Sequence, residues 1–362
     1  MRLLVTGGAG FIGSNFVRYA LGRDEVRELV NLDALTYAGN LASLADIEDD
    51  PRYRFVRGDV RDRELVAEVV RGMDAVVHFA AESHVDRSID GPQTFLDTNV
   101  TGAGVVFEAC RRAEVARVLH ISTDEVYGSI AEPGSFVESD PLEPNSPYAA
   151  SKAGADLLAR SYGVTYGYPI TVTRTANNFG PYHYPEKMVP LFVTNLLDGL
   201  QVPLYGEGAN VRDWTYVEDN CAAQWLVLTE GEPGEVYNVG AGNELTNKEL
   251  THRILAALGQ GEEMIDYVAD RPGHDLRYSV DTAKVRALGW QPAHDLDEAL
   301  TATISWYRRH EQWWRPLKAA GASDRRGTGA REWRWPGGRE RRGSGVPDPR
   351  GPGAPERRRW RA

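Results

Sequence analysis

The sequence predicts an α/β fold, in which a doubly wound parallel sheet is followed by a smaller C-terminal domain. Two observations support this prediction. Short apolar runs alternate with helical patterns over the first half of the chain, which is typical of a parallel sheet with crossover helices. From about residue 175, Asn-Asn, Gly-Pro and Pro-Glu pairs break the pattern into long loops. Ligands of such sheets lie beyond the carboxyl ends of the strands, so motifs at those ends are the candidates for function.

The predicted elements divide the chain into three parts. Buried strands are predicted at residues 3–6, 29–32, 53–57, 75–79, 118–122 and 170–174. Helices are predicted at residues 12–21, 63–71, 98–113, 148–166, 189–199, 217–230, 247–258 and 296–312. We therefore expect a sheet domain in residues 1–175, a second domain mainly in residues 176–318 with some segments returning to the sheet, and a tail in residues 319–362.

Charge is distributed unevenly along the 362 residues. The chain has a net charge of −11, yet residues 319–362 contain 12 Arg and only 5 acidic residues. This Arg-, Gly- and Pro-rich tail has no apolar period and is expected to be disordered, because it cannot bury enough surface to offset its ordering entropy. We favour an extension without catalytic importance over a nucleic-acid partner.

The remaining composition indicates a soluble cytoplasmic protein. No signal-peptide pattern opens the sequence, and no apolar run reaches the roughly 18 residues of a membrane span, so no membrane partner is expected. Cys110 and Cys221 are the only cysteines, and both fall in helical patterns. Buried free thiols are therefore predicted rather than a disulfide framework. No metal site is predicted.

A glycine-rich turn after the first strand predicts a dinucleotide site. The segment TGGAGFIG (6–13) lies between a predicted strand and a predicted helix. Its glycines permit a tight turn and let backbone amides approach a pyrophosphate at the helix N-terminus. Asp33 ends the second strand, where a carboxylate can accept hydrogen bonds from ribose hydroxyls and repel a 2′-phosphate, which favours NAD over NADP. A simple glycine-rich turn and a capping role for Asp33 are the alternatives.

Two further motifs carry groups that can move protons. Tyr148 and Lys152 are four residues apart on one helix face, and a neighbouring ammonium and the positive nicotinamide ring both favour the phenolate of a tyrosine. Tyr148 could then accept a proton from a hydroxyl whose carbon is oxidised by NAD. Asp124 and Glu125 end the fifth strand, and two carboxyls in different environments can act as acid and base in an elimination of water. The alternative for this pair is an acidic helix start stabilised by the helix dipole.

Eight segments resemble the extended short-chain dehydrogenase/reductase family. They are TGGAGFIG (6–13), LDALTYAGN (32–40), FAAESHVDRS (79–88), STDEVYG (122–128), PNSPYAASKA (144–153), NNFGPYHYPEKMVPLF (177–192), LYGEGANVRDWTYVEDN (204–220) and DRPGHDLRY (270–278). The match covers roughly residues 1–318. It is strongest to members that dehydrate nucleotide-linked hexoses, because related epimerases generally lack the acidic pair. The resemblance implies a Rossmann-type fold, bound NAD, a homodimer, and dTDP-glucose as the substrate for 4,6-dehydration in deoxysugar biosynthesis.

The resemblance also implies roles for individual residues. Asp124 would protonate the departing 6-hydroxyl, Glu125 would remove the C5 proton, and Tyr148 would act on the 4-hydroxyl with Thr123. Lys152 would bind the nicotinamide ribose. Implied cofactor contacts come from Gly7, Gly10, Phe11, Ile12, Gly13, Asp33, Ala34, Leu35, Thr36, Asp59, Val60, Phe79, Ala80, Ala81, Ser83, Thr98, Tyr148, Lys152 and Asn178. Implied substrate contacts come from Ser83, Thr123, Asn177, Lys187, Met188, Pro203, Tyr205, Arg212, Asn247, Arg271 and His274.

Three other functions stay open at this point. A sugar-nucleotide 4-epimerase of the same family would need Tyr148 and Lys152 but not the acidic pair. A dehydratase acting on a UDP-hexose would keep every one of these residues, so the base of the nucleotide is the weaker inference. A dinucleotide-binding regulatory protein would share the fold but would have no use for the proton-transfer groups.

Overall fold

The computed structural model describes residues 1–327, with side chains described as far as Ala320. The strands are β1 (Arg2–Thr6), β2 (Glu28–Asp33), β3 (Tyr53–Arg57), β4 (Ala75–His78), β5 (Arg117–Thr123), β6 (Thr171–Thr175), β7 (Asn177–Phe179), β8 (Val202–Tyr205), β9 (Val211–Tyr216), β10 (Val236–Val239), β11 (Glu244–Thr246) and β12 (Ile265–Val268). The helices are α1 (Phe11–Leu21), α2 (Arg63–Val70), α3 (Val85–Asp90), α4 (Pro92–Phe95), α5 (Ala103–Arg112), α6 (Pro147–Tyr166), α7 (Met188–Leu197), α8 (Val217–Glu230), α9 (Asn247–Leu258), α10 (Ala283–Ala287), α11 (Leu296–Arg309) and α12 (Glu311–Gly327).

Seven parallel strands form the central sheet in the order β10-β6-β5-β4-β1-β2-β3. Two small sheets, β11-β9-β7 and β12-β8, lie outside it. The chain order reverses at β1, whose Thr6 pairs with Leu32 of β2 and with His78 of β4. The carboxyl ends of these three strands therefore meet at one edge, which is where doubly wound sheets bind their ligands.

The central sheet is covered by helices on both faces, and each face has its own hydrophobic core. Leu3 and Val5 of β1 belong to the core beneath α1, α7, α8 and α11. Leu4, between them, belongs to the core beneath α2, α5 and α6. Side chains alternate between the two faces of a strand. Burial on both faces thus explains why the strands appear in the sequence as continuous apolar runs rather than as alternating ones.

The predicted sheet is confirmed by the structure. All six predicted strands are present, and β10 pairs with β6, so a later segment does return to the sheet. Cys110 and Cys221 are both buried and free, as predicted. The predicted helix of residues 98–113 differs in its first part, because Leu96–Gly102 is a π-helix that leads into α5. No helix among residues 1–327 combines the length and apolarity that a membrane crossing requires.

The predicted single helix of residues 296–312 is wrong, because it is broken at His310. This residue lies between α11 and α12 and has φ −119° and ψ 41°. The break allows Trp314 to be fully buried and to donate from Nε1 to the carbonyl oxygen of Tyr307 at 2.9 Å. Trp313 donates from Nε1 to Ser43 Oγ at 3.1 Å. The helix after the break therefore closes the core with two indole rings.

The boundaries of the predicted domains have different outcomes. The sequence predicts a disordered tail from residue 319; α12 continues to Gly327, and the disorder of the tail stays a prediction. The rest of the predicted tail, residues 328–362, lies outside the described residues. Met1–Ala319 form one compact unit. The predicted boundary at residue 175 lies inside this unit and stays a prediction.

Two truncations test where the folded unit ends. Ending the chain after Lys318 keeps both indoles, so we expect the melting temperature to change little. Ending it after His310 removes Trp313 and Trp314, and the loss of one buried tryptophan costs about 3–5 kcal/mol. The shorter chain should therefore melt roughly 10 °C lower. Thermal unfolding followed by circular dichroism measures both. A large loss on the first truncation would show that residues after 318 stabilise the fold.

Candidate active site

The turn between β1 and α1 passes so close to β4 that it requires glycine. Gly7 has a φ of +75°, and a Cβ there would lie 2.6 Å from the backbone nitrogen of Ala80. A Cβ on Gly13 would lie 2.2 Å from the carbonyl oxygen of Gly7. No side chain caps the N-terminus of α1 at Gly10. The turn is thus a backbone cradle at a helix N-terminus, and such a cradle favours an anionic group.

Asp33, at the end of β2, is hydrogen-bonded to this cradle. Its Oδ2 accepts a hydrogen bond from the amide of Ala9 at 2.9 Å, and its Oδ1 accepts one from the amide of Leu35 at 2.8 Å. Burial raises the pKa of Asp33, while these two amides lower it. The carboxylate lines the cleft and also holds the turn, so the capping role considered from the sequence is part of its function.

Asp124 and Glu125 begin a 3-10 turn directly after β5. Thr123 Oγ1 accepts a hydrogen bond from the amide of Glu125 at 3.3 Å and donates one to Asp124 Oδ1 at 3.2 Å. Asp124 is 3% exposed, and its Oδ2 has no hydrogen-bond partner. Burial, with a further contribution from the charge of Glu125, raises the pKa of Asp124 to about 8. Asp124 therefore keeps its proton at neutral pH.

Glu125 is more exposed than Asp124 and faces a different set of charges. Burial raises its pKa, and the charges of Arg212, Arg271 and Lys187 oppose that effect. Of these three cations, Arg212 is also among the main charges that lower the pKa of Asp124. The two adjacent carboxyls thus lie in different environments, which is the arrangement that lets one act as an acid and the other as a base.

Tyr148 and Lys152 lie in the first turns of α6. Ser146 begins this helix by accepting a hydrogen bond from the amide of Ala149 at 3.1 Å. Lys152 is 4% exposed and donates from Nζ to the carbonyl oxygen of Ile121 at 2.6 Å. Burial lowers the pKa of Lys152 to about 8. Its ammonium is therefore anchored to β5, beside the strand end that carries the acidic pair.

The expectation that Lys152 and the nicotinamide ring favour the phenolate of Tyr148 stays a prediction. Burial raises the pKa of Tyr148, and the charge of Glu125 raises it further, while a hydrogen bond with Thr123 lowers it. Lys152 is not among the main groups that set this value. Burial therefore acts against the phenolate of Tyr148, an effect that the helical spacing of Tyr148 and Lys152 does not include.

A buried amide, which the sequence motifs do not identify, links the catalytic helix to the loop after β4. Asn99 Nδ2 donates to Ser151 Oγ at 2.8 Å and to the carbonyl oxygen of Glu82 at 3.0 Å. Asn99 Oδ1 accepts a hydrogen bond from the amide of Glu82 at 2.8 Å. Ser151 in turn donates to the carbonyl oxygen of Tyr148 at 2.7 Å. The only sequence signal was the position of Asn99 next to Thr98.

The predicted substrate residues line the same cleft from the C-terminal half of the chain. Lys187 Nζ donates to the carbonyl oxygen of Ser83 at 2.5 Å. Arg212 is 5% exposed, donates to the carbonyl oxygen of Asp275 at 2.9 Å, and lies with its guanidinium carbon 4.1 Å from the centre of the Tyr278 ring. These cations are held in fixed positions by backbone oxygens and by an aromatic face.

The cleft has a volume of about 570 Å³ and brings together nearly every predicted site residue. Leu35 is the exception. Its side chain packs against the core, its φ is 53°, and only its amide serves the site, by holding Asp33. Residues that the prediction missed also line the cleft, among them Tyr37, Glu82, His84, Asp86, His183, Glu186 and Trp214. Several belong to segments already noted for their resemblance, but no local spacing marks them as functional.

The chain belongs to the family whose model is described as GDP-mannose 4,6 dehydratase, which matches residues 4–303. The dTDP-glucose 4,6-dehydratase of Streptomyces niveus is 54% identical over 325 residues, which cover 88% of this chain and 96% of that protein. The low-salt glycan biosynthesis protein Agl12 of Haloferax volcanii is 54% identical over 307 residues, which cover 85% of this chain and 98% of that protein.

Two solved structures of related enzymes are also similar to this chain. DesIV, the dTDP-glucose 4,6-dehydratase of Streptomyces venezuelae with NAD and TYD bound, is 56% identical with a TM-score of 0.86, covering 88% of this chain and 100% of that chain. The UDP-glucose 4-epimerase of Thermus thermophilus in complex with NAD is 33% identical with a TM-score of 0.79, covering 86% of this chain and 100% of that chain. The predicted resemblance and the predicted Rossmann-type fold are both confirmed.

The buried proton of Asp124 predicts a stabilising substitution. An acid whose pKa is higher in the folded state than in the unfolded state destabilises the fold as pH rises between the two values. For Asp124 these values are the ordinary 3.8 and about 8. The side chain of Asp124→Asn is neutral at every pH. The free energy of unfolding of this variant should therefore increase relative to that of the wild type from pH 4 to pH 8, by at most about 1.4 kcal/mol per pH unit.

Thermal unfolding of the wild type and Asp124→Asn at several pH values measures this difference. Glu64→Gln is a suitable control, because Glu64 is exposed on α2. A difference between wild type and Asp124→Asn that stays constant with pH would mean that Asp124 is ionised in the fold.

Proposed function

We propose that this chain is an NAD-dependent dTDP-glucose 4,6-dehydratase, which forms dTDP-4-keto-6-deoxyglucose for deoxysugar biosynthesis. The observation that carries this proposal is a buried Asp124 beside Glu125 in the same cleft as Tyr148 and Lys152, where burial raises the pKa of Asp124 to about 8. Its support from the comparisons is the identity of 54–56% to dTDP-glucose 4,6-dehydratases over most of both chains.

The end of the cleft near β1 and β2 fits a dinucleotide. The backbone cradle of Gly7 and Gly13 has no room for a Cβ and suits a pyrophosphate, and Asp33 closes the adjacent strand end. The small residues Ala80 and Ala81 leave space beside the cradle. NAD, when bound, supplies an acceptor for the electrons removed at C4 of the sugar and returns them at C6. Lys152 would hold its nicotinamide ribose.

The protein's own groups move the protons of the elimination. Tyr148, as the phenolate that Lys152 and the positive nicotinamide ring would favour, takes the proton of the 4-hydroxyl as C4 becomes a ketone, with Thr123 hydrogen-bonded to the same oxygen. That ketone acidifies the C5 proton, which Glu125 removes. Asp124 gives its proton to the 6-hydroxyl as the C6–O bond breaks, so that water leaves and a C5–C6 double bond forms. Glu125 then returns its proton to C5 when C6 is reduced.

A 4-epimerase is the second candidate, because the Thermus thermophilus epimerase shares the fold at 33% identity. An epimerase changes the configuration at C4 and has no leaving group at C6. It therefore has no use for a carboxyl that is kept protonated by burial. Asp124 favours the dehydratase, since a buried acid with one oxygen that lacks a hydrogen-bond partner destabilises the fold and calls for a functional reason.

The product distinguishes these functions directly. Incubation with dTDP-glucose should give a 4-keto-6-deoxy sugar, which absorbs in the ultraviolet in base, without accumulation of free NADH. UDP-glucose, tested in parallel, should react more slowly if the cleft selects the thymine base. Formation of dTDP-galactose would identify an epimerase, and growth of NADH absorbance with turnover would identify a simple dehydrogenase.

Substitution of the acidic pair separates the two proton transfers. Glu125→Gln should abolish the entry of solvent deuterium at C5 while some C4 oxidation remains, because only the base for C5 is lost. Asp124→Asn should slow the loss of water more than the oxidation of C4. Mass spectrometry of the product in heavy water and single-turnover spectra measure the two steps. Equal loss of both steps in both variants would indicate a structural role for the pair.

We also propose that the protein is a homodimer that assembles through α6. Leu157, Val164 and Tyr166 of this helix are 58%, 72% and 56% exposed, although they are large and apolar. Leu157 and Val164 are seven residues apart and share one helix face. A helix that is apolar beyond the stripe facing its own core is expected to have a second partner.

Sedimentation measures this association. The wild type should sediment as a dimer at micromolar concentration, and Leu157→Glu with Val164→Glu should shift it to a monomer. Tyr267→Glu is the control, because Tyr267 is 51% exposed on β12, outside α6. A wild-type protein that is monomeric at every concentration would contradict the proposal.

A further inference from the structure

A single carboxylate connects three distant segments at the rim of the cleft. Asp86, on α3, accepts a hydrogen bond on Oδ1 from Arg271 Nη1 at 3.1 Å and another on Oδ2 from the hydroxyl of Tyr205 at 3.1 Å. These partners lie 185 and 119 positions further along the chain. Burial alone would raise the pKa of Asp86, but the charges of Arg271 and His84 and both hydrogen bonds lower it. Asp86 is therefore an anion that holds two partners at once.

The bond to Asp86 leaves part of the Arg271 guanidinium for a ligand. Arg271 lines the cleft, and its Nε is buried without a hydrogen-bond partner. A buried N–H without an acceptor is costly, and a guanidinium fork matches the oxygens of a phosphate. Asp86 uses Nη1, so a phosphate bound through Nε would not compete for the same nitrogen. The carboxylate of Asp86 thus orients the Arg271 guanidinium and leaves Nε available to a ligand.

The other oxygen of Asp86 orients an aromatic wall. The ring of Tyr205 meets the imidazole of His274 edge to face, with centroids 6.0 Å apart and an interplanar angle of 86°. His274 Nδ1 lies 2.6 Å from Asp270 Oδ1. The phenol is therefore held at its hydroxyl by Asp86 and at its ring by His274. A flat ring held in this way is suited to packing against a nucleobase.

We propose that Asp86 is a positioning residue for the nucleoside diphosphate half of the substrate, because it holds Arg271 for the diphosphate and Tyr205 for the base. This inference rests on the proposed function and deepens it. A long arginine side chain loses rotamer freedom when it binds a ligand, and a partner that holds it beforehand removes that loss from binding. Asp86 acts through these two partners, with which it shares hydrogen bonds.

The negative charge of Asp86 also acts against a diphosphate, so the sign of its effect must be decided. Its side chain is 39% exposed, which screens the charge, and its closest ionic partner is the Arg271 cation at 3.1 Å. Exposure and the Arg271 charge therefore both weaken the repulsion of the ligand, whereas both partners donate a hydrogen bond to the carboxylate. Positioning outweighs repulsion, and the loss of Asp86 weakens binding.

Calorimetric titration with dTDP tests the proposal separately from catalysis. Asp86→Asn keeps the shape but cannot accept strongly from both partners, so the Kd for dTDP should rise about tenfold, equivalent to about 1.4 kcal/mol. KM for dTDP-glucose should rise similarly, with kcat within about twofold of the wild type. Asp90→Asn is the control, since Asp90 is exposed on the same helix, and it should change neither value.

Tyr205→Phe provides a second test that is independent of the folding of the Asp86 variant. It removes only the hydroxyl and should weaken dTDP binding several-fold. In the Tyr205→Phe protein, Asp86→Asn should raise the Kd for dTDP by a smaller factor than it does in the wild type, because the two residues act as one unit. Unchanged or tighter dTDP binding by Asp86→Asn, or a fall in kcat with KM constant, would overturn the proposal. A protein that binds dTDP through Asp86 but does not dehydrate dTDP-glucose would retain this inference and lose the proposed function.

Discussion

On the proposed function, the burial of Asp124 at the end of β5 is the constraint on which the chemistry of this protein depends. A carboxyl removed from water keeps its proton far above its ordinary pKa, and here the value is about 8. No hydrogen bond to Oδ2 compensates for this burial. The fold therefore accepts an unfavourable group at its centre. The rest of the sheet must be stable enough to carry it, and two separate hydrophobic cores on the faces of the sheet supply that stability.

The parallel sheet places the other groups of the site at the same edge as Asp124. Because all seven strands run in the same direction, the ends of β1, β2, β4 and β5 share one edge, and the glycine turn, Asp33 and the acidic pair lie along it. The second half of the chain then supplies further cleft residues from the small sheets, among them Tyr205 of β8 and Arg212 of β9, and from the loops around them. Those loops are held by side chains such as Asp86 and by main-chain oxygens such as that of Ser83. Rigid strand ends position the chemistry, and long-range polar contacts position the substrate groups.

This difference explains what the sequence could predict. The glycine turn, the acidic pair and the Tyr148–Lys152 spacing are local patterns, and each lies in the predicted element. The contact of Asp86 with Arg271 joins positions 185 residues apart and has no local signal. The break at His310 was missed because the apolar period continues into Trp313 and Trp314, with no Gly or Pro at the break. The effect of burial on the pKa of Tyr148 could not be predicted, because spacing shows which groups are neighbours but not how much water surrounds them.

The cations at the substrate end of the cleft also act on the catalytic end. Arg271, Lys187 and Arg212 lower the pKa of Glu125, against the effect of its burial. On the proposed function, a diphosphate at these cations would neutralise part of their charge, and the pKa of Glu125 would then rise. A carboxylate with a higher pKa is a stronger base, so the base for C5 gains strength when the nucleotide is in place. Asp124 has only Arg212 among its main cationic neighbours and already holds its proton. Binding of the nucleotide therefore leaves the acid in its working state and strengthens the base, which couples recognition of one end of the substrate to chemistry at the other.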